Sequence, residues 1–335
     1  MSKAKYPYEG IPKFRPSCYF LTGINGMIME IDRSPALIEE IQRLKKVRNA
    51  VILVHNYQLG EVQDIADFVG DSLELSQNAA KTNADVIVFC GVHFMAETAS
   101  ILCPNKVVLL PDMHAGCPMA DMITAERLRE KKKEHPQAVV VCYVNSSAEV
   151  KAESDICCTS ANAVEVVESL DAQEILFVNQ PYLKIAVSTK TDKNVILWPG
   201  FCPTHARVQP GWIKELKQDY PQAKIVVHPE CRPEVIALAD EVLSTGGMCR
   251  YASRTEARES IVGTEIGIIH RLRKENPGKR FIPVSEQAIC PDMKLITLEK
   301  VLWSLEETEF EVKVPEEIRL RAKAAVDKML KVGSR

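Results

Sequence analysis

The chain has 335 residues, of which 46% are hydrophobic, enough for two or three separate cores. Its 42 basic and 45 acidic residues leave a net charge of -3, and no basic stripe interleaved with aromatics runs along it, which argues against nucleic acid as a partner. No stretch approaches the roughly 18 uninterrupted apolar residues of a membrane span, and the opening "MSKAKYPYEGIPKFRPSCYF" lacks an apolar run with a cleavage site, so a soluble cytoplasmic protein is expected.

The first periodic segment, "SPALIEEIQRLKKV", predicts a helix: Ser34 can cap it, Pro35 suits its first turn, and Leu37, Ile41 and Leu44 share a face. Short β-rich runs then alternate with helical patterns: "AVILVHNY", "ADVIVFCG", "KVVLLP", "AVVVCYVN", "EILFVNQ", "NVILWPG", "AKIVVHPE" and "RFIPVSE". These runs are too uniformly apolar for one-sided strands, and the helices between them imply parallel sheets covered on both faces. The fold class is therefore α/β.

The runs repeat. Aligning "VILVHNY", "VVVCYVN" and "KIVVHPE" places His55, Tyr143 and His228 at equivalent strand tips, 88 and 85 residues apart. Two residues on, each repeat offers a polar group, Tyr57, Asn145 and Glu230, and seventeen beyond the tip a hydroxyl, Ser72, Ser160 and Thr245. Cys117, Cys202 and Cys290, each before a proline, keep the same period. Apolar strands recur in any α/β protein, but polar groups held in phase are not a requirement of packing. The expected architecture is three similar αβα units related by pseudo-threefold symmetry around a central active site. The first covers 1-120, with an N-terminal extension and completed by 293-335; the second covers 121-206 and the third 207-292. Ligand groups in such sheets gather beyond the carboxyl ends of the strands.

Eleven cysteines in a long chain without a signal peptide read as reduced thiols, and the absence of any C-x-x-C means that metal ligands would come from distant segments. Three thiolates converging on one axis suggest an iron-sulfur cluster whose missing fourth ligand leaves one iron open as a Lewis acid. Cys18, Cys90, Cys103, Cys142, Cys157, Cys158, Cys231 and Cys249 fall outside the phase and read as packing. The three hydroxyls precede helical segments, where they could cap, and helix N-termini also bind carboxylates and phosphates. Thr245 followed by Gly246 and Gly247 offers the closest backbone approach. His55, Tyr57, His228 and Glu230 could move protons, while Tyr143 and Asn145 suit orientation; His205 has only its nearness to Cys202 in its favour.

The series "HNYQ", "GDSLELS", "FCGVHFMAETA", "AGCPMADM", "CYVNSSAEVKAESD", "CTSANA", "WPGFCPTHARV", "VHPEC", "STGGM" and "ICPDMK" resembles the quinolinate synthases, over roughly residues 35 to 330. The resemblance implies a [4Fe-4S] cluster on Cys117, Cys202 and Cys290, and condensation of iminoaspartate with dihydroxyacetone phosphate to quinolinate, with loss of phosphate and water. It implies substrate contacts at His55, Ser72, Tyr143, Asn145, Ser160, His228, Glu230 and Thr245, a mobile catalytic Tyr57, and functional coupling to an aspartate-oxidising enzyme that supplies iminoaspartate. The C-x-x-C-x-x-C run of some members is absent from "CPDMKLI". Two other readings share part of the pattern: an aconitase-like hydro-lyase acting on one hydroxy acid, and an iron-sulfur redox sensor, which would not need the in-phase proton-carrying groups.

Overall fold

Residues 34–178 and 192–332 are described by a computed structural model; Cys18, the N-terminal extension and the side chain of Ser34 lie outside the described residues. The chain builds three four-stranded sheets, and every strand pairing within them is parallel. The first contains β1 (Ala50–His55), β2 (Phe68–Gly70), β3 (Val86–Cys90) and β4 (Val107–Leu109) in the order β2-β1-β3-β4. The second repeats that order with β5 (Val139–Tyr143), β6 (Ile156–Cys158), β7 (Glu174–Val178) and β8 (Asn194–Leu197), and the third with β9 (Lys224–Val227), β10 (Glu241–Val242), β11 (Glu259–Gly263) and β12 (Arg280–Pro283). This is the expected α/β architecture of three similar units.

The apolar runs have a direct cause. Helices cover both faces of each sheet, so the two inner strands expose neither face, and β1, β3, β5 and β7 are buried almost end to end. All eight predicted runs contain strands. The second strand of each unit and β11 carry no comparable run: β2, β6 and β10 are only two or three residues long, and polar or small residues interrupt β11.

The threefold relation extends to the ends of the sheets opposite the strand tips. Asp67, Asp155 and Asp240 each accept the N–H of an inner-strand residue, Ile52, Val140 and Ile225, at 2.8 Å. Lys106, Lys193 and Lys279 each donate to carbonyls in the last turn of a preceding helix or within three residues after it, those of Ala84, of Val167 and Leu170, and of Ala252 and Thr255. Each set repeats with the period of the sheets, so the units share their scaffold bonds as well as their strand order.

The segment after the third sheet serves two units. The helix Leu298–Glu307 packs on the helix Ser34–Val47 and on β3, and Glu311 forms an antiparallel bridge to Leu109 at the edge of the first sheet. The helix Glu316–Val332 lies against β6 and the helix Ala148–Ala152 of the second unit and against the helix His93–Leu102 of the first. Ala322 meets Ile101, Ala148 and Ala152 there. No described helix is long and apolar enough to cross a membrane.

Gly246 serves a seam between the first and third units. A Cβ there would lie 2.6 Å from Glu74 Oε1 and 2.7 Å from Asp71 Oδ2. The close approach suggested by its sequence is therefore to two carboxylates that organise the start of the helix Ser72–Lys81. Gly246→Ala is expected to lower unfolding stability by about 1–3 kcal/mol through overpacking, measured by denaturant titration against the parent chain.

Candidate active site

The loops leaving β1, β5 and β9 carry their polar residues into one cavity of about 200 Å3. His55, Tyr57, Ser72, Cys117, Tyr143, Asn145, Ser160, Cys202, His228, Glu230, Thr245 and Cys290 all line it. Every residue singled out by phase is thus brought together, although they come from segments spread over more than two hundred residues.

One backbone device recurs at two strand tips. Nδ1 of His55 accepts the N–H of Tyr57 at 3.2 Å, and Nδ1 of His228 accepts the N–H of Glu230 at the same distance. A ring nitrogen that accepts carries no proton, so each neutral imidazole keeps its hydrogen on Nε2. Burial, helped by neighbouring positive charge, pushes both rings down to about 3 and keeps them neutral.

Glu230 is a buried charge at the centre of the site. Burial opposes its ionisation, but His205 and the Tyr143 hydroxyl outweigh that and hold the carboxyl at about 2. Tyr143 donates to Oε1 at 2.6 Å, and His205 Nδ1 lies 2.9 Å from Oε2 and 3.1 Å from Cys202 Sγ. Burial also opposes charge on His205; the Cys202 and Glu230 groups override it and raise the ring to about 10. On its other side, His205 Nε2 lies 2.8 Å from Thr264 Oγ1 and 3.2 Å from the Tyr57 hydroxyl, which itself meets Thr264 at 2.6 Å. Burial and the charge of Glu230 push both Tyr57 and Tyr143 well above the usual phenol range, so both stay protonated.

The three hydroxyls take two different positions. Ser72 and Thr245 are first residues of ten-residue helices, and the caps are the residues before them, Asp71 and Ser244. Asp71 accepts from the N–H groups of Leu73 and Glu74, and Ser244 from that of Gly247. The expected capping role therefore falls one residue earlier. Thr245 Oγ1 accepts from Asn56 Nδ2 at 2.9 Å, and Asn56 Oδ1 is fixed by Arg271 at 2.9 Å, which leaves the Thr245 proton available to a ligand. Ser160 precedes its short helix by three residues and lies 3.4 Å from His228 Nε2.

The cysteines divide in the same way. Of the ten in the described residues, only Cys117, Cys202 and Cys290 are not buried. Cys202 precedes the short helix Pro203–Ala206, and Cys117 and Cys290 precede the 3-10 turns Ala120–Met122 and Asp292–Lys294. Cys103 shares the Cys-Pro dipeptide, but it is buried and its thiol faces the carbonyl of Ala79 at 3.1 Å. Three cavity-facing sulfurs suit an iron-sulfur cluster, and Cys202, His205 and Glu230 alone form a smaller donor set within 4.8 Å that could hold a single ion.

Comparison with known proteins accords with this arrangement. A family model described as "Quinolinate synthetase A protein" matches residues 39–331. The chain belongs to the quinolinate synthase family. A quinolinate synthase of Dehalococcoides mccartyi (strain CBDB1) is 65% identical over 293 residues, covering 88% of this chain and 97% of the relative. One from Methanosarcina barkeri (strain Fusaro) is 58% identical, covering 89% and 98%, and one from Geobacter sp. (strain M21) is 57% identical, covering 88% and 97%. The chain is accordingly an enzyme of quinolinate synthase type, in NAD biosynthesis.

Within this family site, His205 and Thr264 are more central than their sequence context indicated. Thr264 is the first residue after β11, at a strand end, but no counterpart in phase draws attention to it. Its hydroxyl joins Tyr57 to His205. Thr264→Val keeps the shape and removes that link, and is expected to lower quinolinate formation about 10²-fold or more with unchanged far-UV circular dichroism; Thr264→Ser should retain most of the rate. Steady-state assay of both variants checks this.

Proposed function

We propose that the chain condenses iminoaspartate with dihydroxyacetone phosphate to quinolinate, phosphate and water, with a [4Fe-4S] cluster on Cys117, Cys202 and Cys290. The observation that carries this reading is convergence: twelve residues chosen by phase from three repeats line one cavity, and its three cysteines are the described ones that are not buried. When bound, such a cluster supplies an open iron that acts as a Lewis acid on a substrate hydroxyl or carboxylate.

The protein's own groups supply binding and proton movement. Nε2–H of His55 and of His228, the hydroxyls of Ser72, Ser160 and Thr245, and the N-termini of the helices Ser72–Lys81 and Thr245–Arg254 are donors suited to carboxylate and phosphate oxygens. Asn145 and Tyr143 orient the bound molecules. Holding two reactants side by side is itself a large part of the rate enhancement. Neutral His55 and His228 act in this pose through donated hydrogen bonds rather than by taking protons. Proton movement falls to Tyr57, whose hydroxyl meets Thr264 and His205, and to Glu230, whose carboxylate bonds His205. Iminoaspartate hydrolyses readily, which favours supply by an aspartate-oxidising enzyme acting alongside this one.

Two substitutions separate the cluster from the proton chemistry. Cys202→Ser is expected to abolish the brown chromophore and activity of the anaerobically reconstituted protein, whereas Cys103→Ser keeps both; a chromophore unaffected by Cys202→Ser overturns the ligand assignment. Glu230→Gln should leave the absorption spectrum intact and reduce quinolinate formation by roughly 10²–10⁴-fold. An aconitase-like hydro-lyase predicts the opposite substrate preference: turnover of a single hydroxy acid and no quinolinate from the two substrates.

A further inference from the structure

Beyond the twelve residues in phase, one ion pair with a fully buried carboxylate ties three loops of the site together. Glu265 is fully buried, directly after Thr264. Its Oε1 accepts the N–H of Cys290 at 3.1 Å and the Lys294 ammonium at 2.9 Å, and its Oε2 accepts the N–H of Gly267 at 2.7 Å. Lys294 also donates to the backbone carbonyl of Tyr57. Gly267 closes the arrangement, since a Cβ there would stand 2.6 Å from that same carbonyl oxygen.

We propose that Glu265 and Lys294 are positioning residues, a clasp that sets Tyr57 in register with the Cys290 loop. The proposal rests on the reading of Cys290 as a cluster ligand and Tyr57 as a proton carrier. Lys294 holds the main chain of Tyr57 from one side while Thr264, the neighbour of Glu265, holds its hydroxyl from the other. The main chain of the tyrosine is thereby held relative to the loop that carries the third cysteine, while its hydroxyl meets Thr264.

Two facts set this pair apart from scaffold. The scaffold bonds of Asp67, Asp155 and Asp240, and of Lys106, Lys193 and Lys279, recur in all three units. The clasp does not recur: four residues after the cysteine, the other units have Asp121 and Ala206 where the third has Lys294, and the first has Val92 in the phase of Glu265. Moreover, burying the Glu265 carboxylate costs several kcal/mol in desolvation, which its contact with the half-buried Lys294 must offset, so the pair is a poor way to add stability and a better way to specify one arrangement.

The test compares the full-length, anaerobically reconstituted chain with Lys294→Met, Lys294→Arg, Glu265→Gln, Glu265→Ala and the double variant Glu265→Gln/Lys294→Met. Iron and sulfide content, iron release to a ferrous chelator, kcat and KM are measured for each. Lys294→Met is expected to keep its iron and sulfide and lose about a hundredfold in kcat, with little change in KM, and Lys294→Arg should restore most of the rate. Glu265→Ala, which leaves the Cys290 amide without its acceptor, should release iron about tenfold faster than the parent. The double variant should be no slower than its worse single, because both substitutions break one unit. Parental kcat in Lys294→Met, or fully additive losses in the double variant, overturns the clasp. A parent chain that binds its cluster but makes no quinolinate overturns instead the functional reading beneath it.

Discussion

A carboxylate with 4% of its surface exposed cannot stand alone, and the site is organised around satisfying Glu230. Its partners come from different parts of the chain: Tyr143 from the end of β5, and His205 from the turn that follows Cys202. The demand for compensation therefore draws the second unit and the cysteine loop after β8 onto the third unit. His205 passes the constraint on, because the nitrogen it does not give to Glu230 meets Thr264 and Tyr57. One buried charge fixes a chain of contacts that ends in the first unit.

The other seams are built differently. Between the first and second units, Lys151 is fully buried with its ammonium on the carbonyls of Ser146 and Phe94, and Glu97 accepts the N–H of Ala148. Between the first and third, side-chain bonds dominate: Asn56 to Thr245, Ser244 to Asp71, Arg250 to Glu74, and Arg271 to Asn56. Several of these partners are one or two residues from the hydroxyls of Ser72 and Thr245 that line the cavity. Packing of the units and placement of Ser72 and Thr245 are consequently the same set of bonds viewed from two sides.

Much of the architecture was legible because burial on two faces writes itself into a sequence as continuous apolar runs, as in "AVILVH" and "VIVFC". Short edge strands such as Glu241–Val242 bury too little to leave that record. The site was legible for a different reason: period selects residues whose chemistry is repeated, which picked out His55, Tyr143 and His228 as well as the three cysteines. It is blind to residues whose role exists in only one unit. Thr264 and the pair Glu265 and Lys294 are of that kind, and only spatial proximity reveals them; His205 had no more than its nearness to Cys202 in the chain. Local capping was misread by one position at Ser72 and Thr245 because hydroxyl and carboxylate residues stand side by side in "GDSLE" and "LSTGG". Either neighbour could cap, and the structure gives that work to Asp71 and Ser244.

The matched pairs His55 with Tyr57 and His228 with Glu230 decide how far two repeated units can differ. In each, the ring is oriented by a main-chain N–H, which every residue except proline provides whatever its side chain. The side chain two residues beyond the histidine is therefore free to differ without disturbing the ring. One unit carries a phenol there and the other a carboxylate, while both imidazoles keep the same tautomer. Different chemistry fits within one repeated frame because the shared contact belongs to the backbone.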